Sequence, residues 1–446
     1  MSGKFLSGVG RAVITPEKGL GLAGYFNPRF NVGKIDDLFA KAVAFQKGES
    51  RLVLVSCDLC FVTPEIVFAS RARLAEAGFA EWIDHLLVTA THSHTAPYPA
   101  AFFGTEADEA YLALLHRKIA EAAAAAIRDL GEAELLSARH FGNPYAFNRR
   151  YWMKNGTVLT NPGKCNPDIV RPEGPVDDEI GLLAVRKGGK IAALLANIVN
   201  HTDTIGGDLV SADWPGFMER KVREQLGAET TVVTLIGCSG NINHFDVGDN
   251  FDQTNSGEAR RIGDGYGAIL LAMLAELKPV SFERMTVKRA VMTIPYRVIS
   301  EDEKAAAEAT LKRTEGVNAG SALTSEELAS GDGPVARFFA GQLLAYAREC
   351  SGKARDFELF AVQFDDKLAI QTFPGECFTE IGLAVRAGSP AAQTLVATLA
   401  MGECGYVCMP GCFARGGYEI LPVVGGGPAA DTAPRMVKEG LRLLWN

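Results

Sequence analysis

HLLVTATHSHTAP, residues 85–97, joins a buried-looking apolar run to two closely spaced histidines. The run is too short for an ordinary helix and reads as a strand, and Pro97 argues against a helix beyond it. Upstream, LVLVSCD (52–58) has the same form and ends on Asp58. Between the two, PEIVFASRARLAEAGF (64–79) carries an amphipathic helical pattern with Pro64 near its start. Apolar strands alternating with helical patterns favour an α/β layered fold.

The alternation continues outward. KIAALLANIVN (190–200) and TTVVTLIG (230–237) read as buried strands, with a helix between them that Gly227 closes. Thr105 with Asp108 resembles a capping box opening a helix over 107–130, whose five consecutive alanines are strong helix formers. A further helix is expected over 260–278. Residues 358–376 read as a hairpin around Asp365-Asp366, and 394–406 as a last core strand. At 296–355 the composition turns polar, helical and alanine-rich, which predicts a helical insertion or lid. The expectation is an α/β protein, a layered mixed β-sheet core flanked by helices, forming one domain over 1–446.

The 446 residues carry 45 Lys and Arg against 53 Asp and Glu, a formal charge of −8. That balance disfavours nucleic-acid binding, which needs clustered cations on phosphates. No apolar run reaches the ~18 residues of a membrane span, and the start lacks a secretory signal, so a cytoplasmic protein is expected. The nine cysteines are then reduced thiols. Cys57 and Cys60 are expected in the core. Cys404, Cys408 and Cys412 are evenly spaced, but glycine and proline between them prevent one helical face.

Polar residues cluster just past the expected strands: Asp58, His92 and His94, His201, the segment Gly237–Asn241, Glu376 and Tyr406. Loops at the carboxyl ends of strands build active sites in α/β sheets. In extended chain His92 and His94 share a face and can serve one metal, or one can bind while the other acts beside it. With His201 in an equivalent position, the ligand types suit zinc. Glu376 reads either as a carboxylate ligand or as a solvated turn acid, and Tyr406 ligates only as phenolate. His85, His116 and His140 are expected in structural roles, His140 beginning a polar turn, whereas His244 could line the pocket. Two other readings stay open: a Cys or Ser hydrolase using Cys238 or Ser239 beside His244, and a non-catalytic binding protein in which metal serves structure.

Several segments together resemble the neutral/alkaline ceramidase family of zinc amidases. They are GVGRAVITP, LVLVSCDL, ATHSHTAP, FNRR, NHTDT with SADWPG after it, IGCSGNIN, FPGE, and GYV followed twelve residues later by GGYE. They run in family order over roughly residues 8–420. The resemblance implies one zinc ion per chain, held by His92, His201, Glu376 and Tyr406. It implies that His94 stands beside the metal and that Arg149 and Tyr418 hold the scissile carbonyl. Asp58 is expected to orient a ligand from behind. The implied activity is hydrolysis of an amide, or of a lactam or ester, by metal-activated water.

Three departures from the family pattern argue against ceramide as the substrate. The family's proposed catalytic serine falls at Gly237. The 28 residues after Tyr418 are too few for the family's C-terminal immunoglobulin-like domain, which needs ~100. No secretion signal is seen. The expected partner is therefore a small soluble substrate, with neither membrane nor nucleic acid involved.

Overall fold

The computed structural model describes residues 3–101, 105–317 and 333–446. Three principal sheets carry the fold, and each repeats one plan: an antiparallel hairpin, a crossover helix, then a strand parallel to the hairpin's second strand. In the first sheet Phe39–Lys47 and Ser50–Cys57 form the hairpin, Pro64–Glu76 is the helix, and Leu86–Ala90 returns parallel. In the second, Glu179–Lys187 and Lys190–Ile198 are followed by helix Asp213–Leu226 and strand Thr231–Ile236. In the third, Ala354–Phe364 and Leu368–Thr372 are followed by helix Thr379–Gly388 and strand Gln393–Ala397. The sequence shows no repeat of this spacing because the apolar identities differ. What recurs is the pattern of buried strand, amphipathic helix and buried strand.

The layered mixed α/β expectation is met. The returning strands are buried at every position, as expected where helices or sheets cover both faces. One apolar core spans the first two sheets and takes in Phe360, Val362 and Leu395 of the third. The opposite face of the third sheet packs on helices Thr379–Gly388 and Thr432–Trp445 through Phe373, Ile381 and Met436. Among the described residues no helix is long and apolar enough to cross a membrane.

Local differences from the sequence reading have physical causes. The long helix runs Glu109–Arg128, and its cap is Asp108, whose carboxylate accepts from the Tyr111 N–H at 2.7 Å; Thr105 lies outside it. Its alanines do more than favour helix: Ala120, Ala122, Ala123, Ala124 and Ala126 are buried, letting the helix lie close on strand Phe5–Val13. The helix expected from 260 starts earlier, at Ser256. The last core strand stops at Ala397 rather than running to 406. Leu399 and Met401 then take left-handed φ values of 53° and 62°. That turn lets Ala90 N–H donate to the Leu399 carbonyl and Met401 N–H to the Val88 carbonyl, stitching the third sheet to the first. His140 lies within strand Glu134–Phe141, not in a turn.

Between strands Met285–Pro295 and Ala354–Phe364, which pair along their whole length, stand helices Glu301–Arg313 and Gly333–Glu349. They lie in the expected 296–355 insertion, of which residues 318–332 are outside the described residues. Ser300 caps the first helix with a full capping box to Glu303.

Candidate active site

Strand ends from all three sheets meet at one cavity of about 340 Å³. The loop after Leu86–Ala90 supplies His92 and His94. Their neighbours Ser93 and Thr95 turn the other way, both hydroxyls donating to the Ser211 carbonyl at 2.7 and 3.0 Å. His92 sits at φ 66°, a left-handed conformation that is costly for a non-glycine residue. Gly24, at φ 98°, lies so close to the His94 ring that a Cβ there would come within 2.4 Å of it. The loop after Lys190–Ile198 supplies His201, whose carbonyl is fixed by the Trp214 indole N–H at 2.8 Å. Glu376 follows Leu368–Thr372 and pairs with Tyr406 in a two-residue parallel ladder.

The donor atoms converge. His92 Nε2 lies 3.0 Å from His201 Nε2, 3.2 Å from His94 Nε2 and 3.3 Å from Glu376 Oε2; His201 Nε2 is 3.4 Å from the same oxygen. His92 Nδ1 lies 2.8 Å from the Cys60 carbonyl, and His201 Nδ1 3.2 Å from that of Ser239. A carbonyl only accepts, so each Nδ1 carries a hydrogen and each Nε2 faces the shared cluster. Glu376 Oε2 is buried without a hydrogen-bond partner among the described residues. Bonds of about 2.0–2.1 Å in a tetrahedron set donor atoms about 3.3 Å apart, so His92, His201 and Glu376 fit a small divalent ion.

The charge balance agrees. Burial pulls the His92 imidazolium down, but Glu376 and Cys60 outweigh it and hold it well above its usual range. His94 is pushed well below that range by burial and then by His92. His201 is pushed the same way by burial and then by Arg149. The cluster thus favours one positive charge among its donors and resists a second.

Tyr406 and Tyr418 line the same cavity, their hydroxyls 3.5 Å apart. The Arg149 guanidinium lies 5.1 Å from one ring centre and 5.2 Å from the other. Arg149 donates through Nε to Glu419 at 3.1 Å and through Nη2 to the Gly240 carbonyl at 2.6 Å, leaving Nη1 3.3 Å from His201 Nε2. Burial and then Glu376 push the Tyr406 phenol well above its ordinary pKa.

Other expectations need correction. Asp58 does not reach a histidine ring: it accepts from the Phe39 N–H at 2.9 Å and pairs with buried Lys41 at 3.3 Å. The Cys60 carbonyl takes the role of orienting His92 instead. Cys60 is buried as expected, in an apolar cluster with Ala23, Phe61 and Tyr98, and also borders the cavity beside that ring. His244 is absent from the lining and bonds the Gln253 carbonyl through Nε2 at 2.8 Å. Cys238 packs in the apolar cluster behind the third sheet, and neither it nor Ser239 lines the cavity, so the nucleophile pair with His244 is not assembled. At Gly237 a Cβ would lie 2.5 Å from Val199 Cγ2, leaving no room for a serine.

Several residues were not singled out in the sequence. Asp203, two residues after His201 in NHTDT, accepts from the Tyr25 hydroxyl at 2.6 Å and lies 3.4 Å from His94 Nδ1. Glu419, next to Tyr418, is the buried partner of both Arg149 and Arg150. Glu403 and Phe339 also face the cavity. Strand-end position was a usable signal for Asp203; Glu419 and Phe339 carried none.

No protein-family model and no curated protein sequence matches the chain. Among solved structures, the neutral ceramidase of Pseudomonas aeruginosa superposes with a TM-score of 0.71 at 17% identity, over 99% of this chain and 74% of that one. A ceramidase complexed with C2 gives the same TM-score and identity over 99% and 75%. The chain therefore has the neutral ceramidase fold that its sequence segments resemble.

Proposed function

We propose that this protein is a zinc-dependent hydrolase that cleaves an amide bond of a small substrate. The observation that carries the reading is the convergence of His92 Nε2, His201 Nε2 and Glu376 Oε2 within 3.4 Å of one another beside the cavity. His92, His201 and Glu376 would hold the ion, and Tyr406, which lines the same cavity, would join them as phenolate once the ion's charge offsets burial. When bound, a zinc ion acidifies water and polarises a carbonyl.

The chain's own groups supply the rest. Tyr418 and the Nη1 edge of Arg149 face the reacting carbonyl and donate to the oxygen as charge develops on it. His94 accepts a proton from the attacking water and returns it to the leaving nitrogen, with Asp203 behind its Nδ1. Phe339, from the inserted helix, stacks along Tyr418 at 6.5 Å between ring centres and walls one side of the cavity. The inserted helix Gly333–Glu349 thus contributes to the cavity wall. Likeness to ceramidases in fold supports amide chemistry over ester chemistry.

The test is hydrolysis of a panel of short N-acyl amines, with and without a zinc chelator and with a thiol reagent. The reading requires activity that the chelator abolishes, zinc restores and the thiol reagent leaves alone. Activity indifferent to chelation would overturn it.

A further inference from the structure

Every acid in the cavity but one is committed to the protein or to the metal centre. Glu419 is bound by Arg149 and Arg150, Asp203 by Tyr25, and Glu376 belongs to the metal donors. Glu403 is different. Its Oε1 accepts from the Gly405 N–H, while its Oε2 is buried with no hydrogen-bond partner among the described residues. Buried polar atoms are rarely left so, and such an atom asks what ordinarily meets it. Glu403 is in neither group of donor atoms close enough to share an ion, and it lines the cavity. Its place is built: the left-handed turns at Leu399 and Met401, bonded to the first sheet, carry the chain to it.

Resting on the hydrolase reading, we infer that Glu403 sets substrate specificity by accepting a hydrogen bond from a hydroxyl or ammonium group a few atoms from the scissile carbonyl. The substrate class is then a short amide bearing a polar hydrogen donor, against an apolar wall that includes Phe339, Leu421 and Val423. A plain alkyl amide of the same length leaves the Glu403 oxygen unsatisfied and is rejected for that reason.

The probes are hydroxamates, which anchor on a metal centre whether or not the protein hydrolyses amides. Three series differ only in the terminal group, hydroxyl, ammonium or methyl, with two to four carbons before it. Binding to the zinc-loaded protein is read by calorimetry, and zinc content is measured alongside. At one chain length a donor-bearing probe binds about 10-fold or more tighter than its methyl partner, the effect of one well-made hydrogen bond. Glu403→Ala brings that ratio to within about 2-fold. Glu403→Gln separates the two donors: it keeps a preference for hydroxyl and loses one for ammonium. An unchanged ratio in Glu403→Ala with zinc retained overturns the assignment. If no probe of any series binds the wild-type protein, the metal-centre reading fails and the Glu403 assignment falls with it. If the methyl probes alone bind, only the Glu403 assignment falls.

Discussion

His92 shows how sequence and site chemistry meet in a single side chain. Its backbone is left-handed, its Nδ1 is tied to the Cys60 carbonyl, and its Nε2 sits at the centre of four donors. His92→Ala or His201→Ala should therefore leave the fold in place and remove bound zinc, which elemental analysis reads directly. Tyr418→Phe deletes one donor to the carbonyl oxygen and should lower kcat by about 10²–10³-fold with zinc content unchanged. Glu419→Ala is a different kind of loss. It strands two buried guanidiniums and should cost about 3–5 kcal/mol in denaturant unfolding. His92 and His201, like Glu376, were visible in the sequence because histidines and acids rarely end buried strands without a reason. Glu403 was not, since the chain has 53 acidic residues and only three-dimensional placement distinguishes this one.

Strands and crossover helices were legible wherever a run of buried residues had one clear period. Boundaries were not, because they depend on which distant backbone group competes for a hydrogen bond. TLVATLAM reads as one strand, yet the Val88 carbonyl and the Ala90 N–H pull the chain after Ala397 out of the sheet. Likewise Asp108, not Thr105, caps the long helix, because its carboxylate is the one that reaches the Tyr111 N–H. Asp108→Ala should lower thermodynamic stability by about 1 kcal/mol, seen as a shift in the urea midpoint at constant slope. In the inserted helix Gly333–Glu349, Phe339 packs at 5.3 Å from Phe26 and reaches Tyr418. Phe339→Ala should raise KM for the preferred small amide by about 10-fold while zinc content stays the same. A wild-type KM in this variant would remove the insertion from the binding site.

The molecule as a whole is three hairpin–helix–strand units whose carboxyl ends converge, and this explains why candidates scattered over more than 300 residues of sequence share one cavity. The convergence was only half legible: position after a strand could be read, but which sheets face one another could not. It also concentrates buried charge, and pH dependence follows. Burial raises the Glu419 carboxyl, but Arg150 and Arg149 outweigh that and hold it below its usual range. The folded chain then binds fewer protons there than the unfolded chain. The stabilisation is fully present above the unfolded value of about 4.3 and is lost as pH falls through it toward the folded value. The Glu419 share of the urea midpoint, read as the difference between wild type and Glu419→Gln, should be constant near neutral pH and shrink below about pH 4.3. Glu419→Gln should be less stable at neutral pH and show a shallower acid limb.

The central claim, that donors from three sheets hold one catalytic ion, is tested most directly by zinc content per chain. Wild-type protein, chelated, reloaded with zinc and desalted, should carry one ion, and His201→Ala treated in the same way should carry almost none. A folded wild-type protein that takes up no zinc, or a His201→Ala protein that keeps a full complement, would contradict the account.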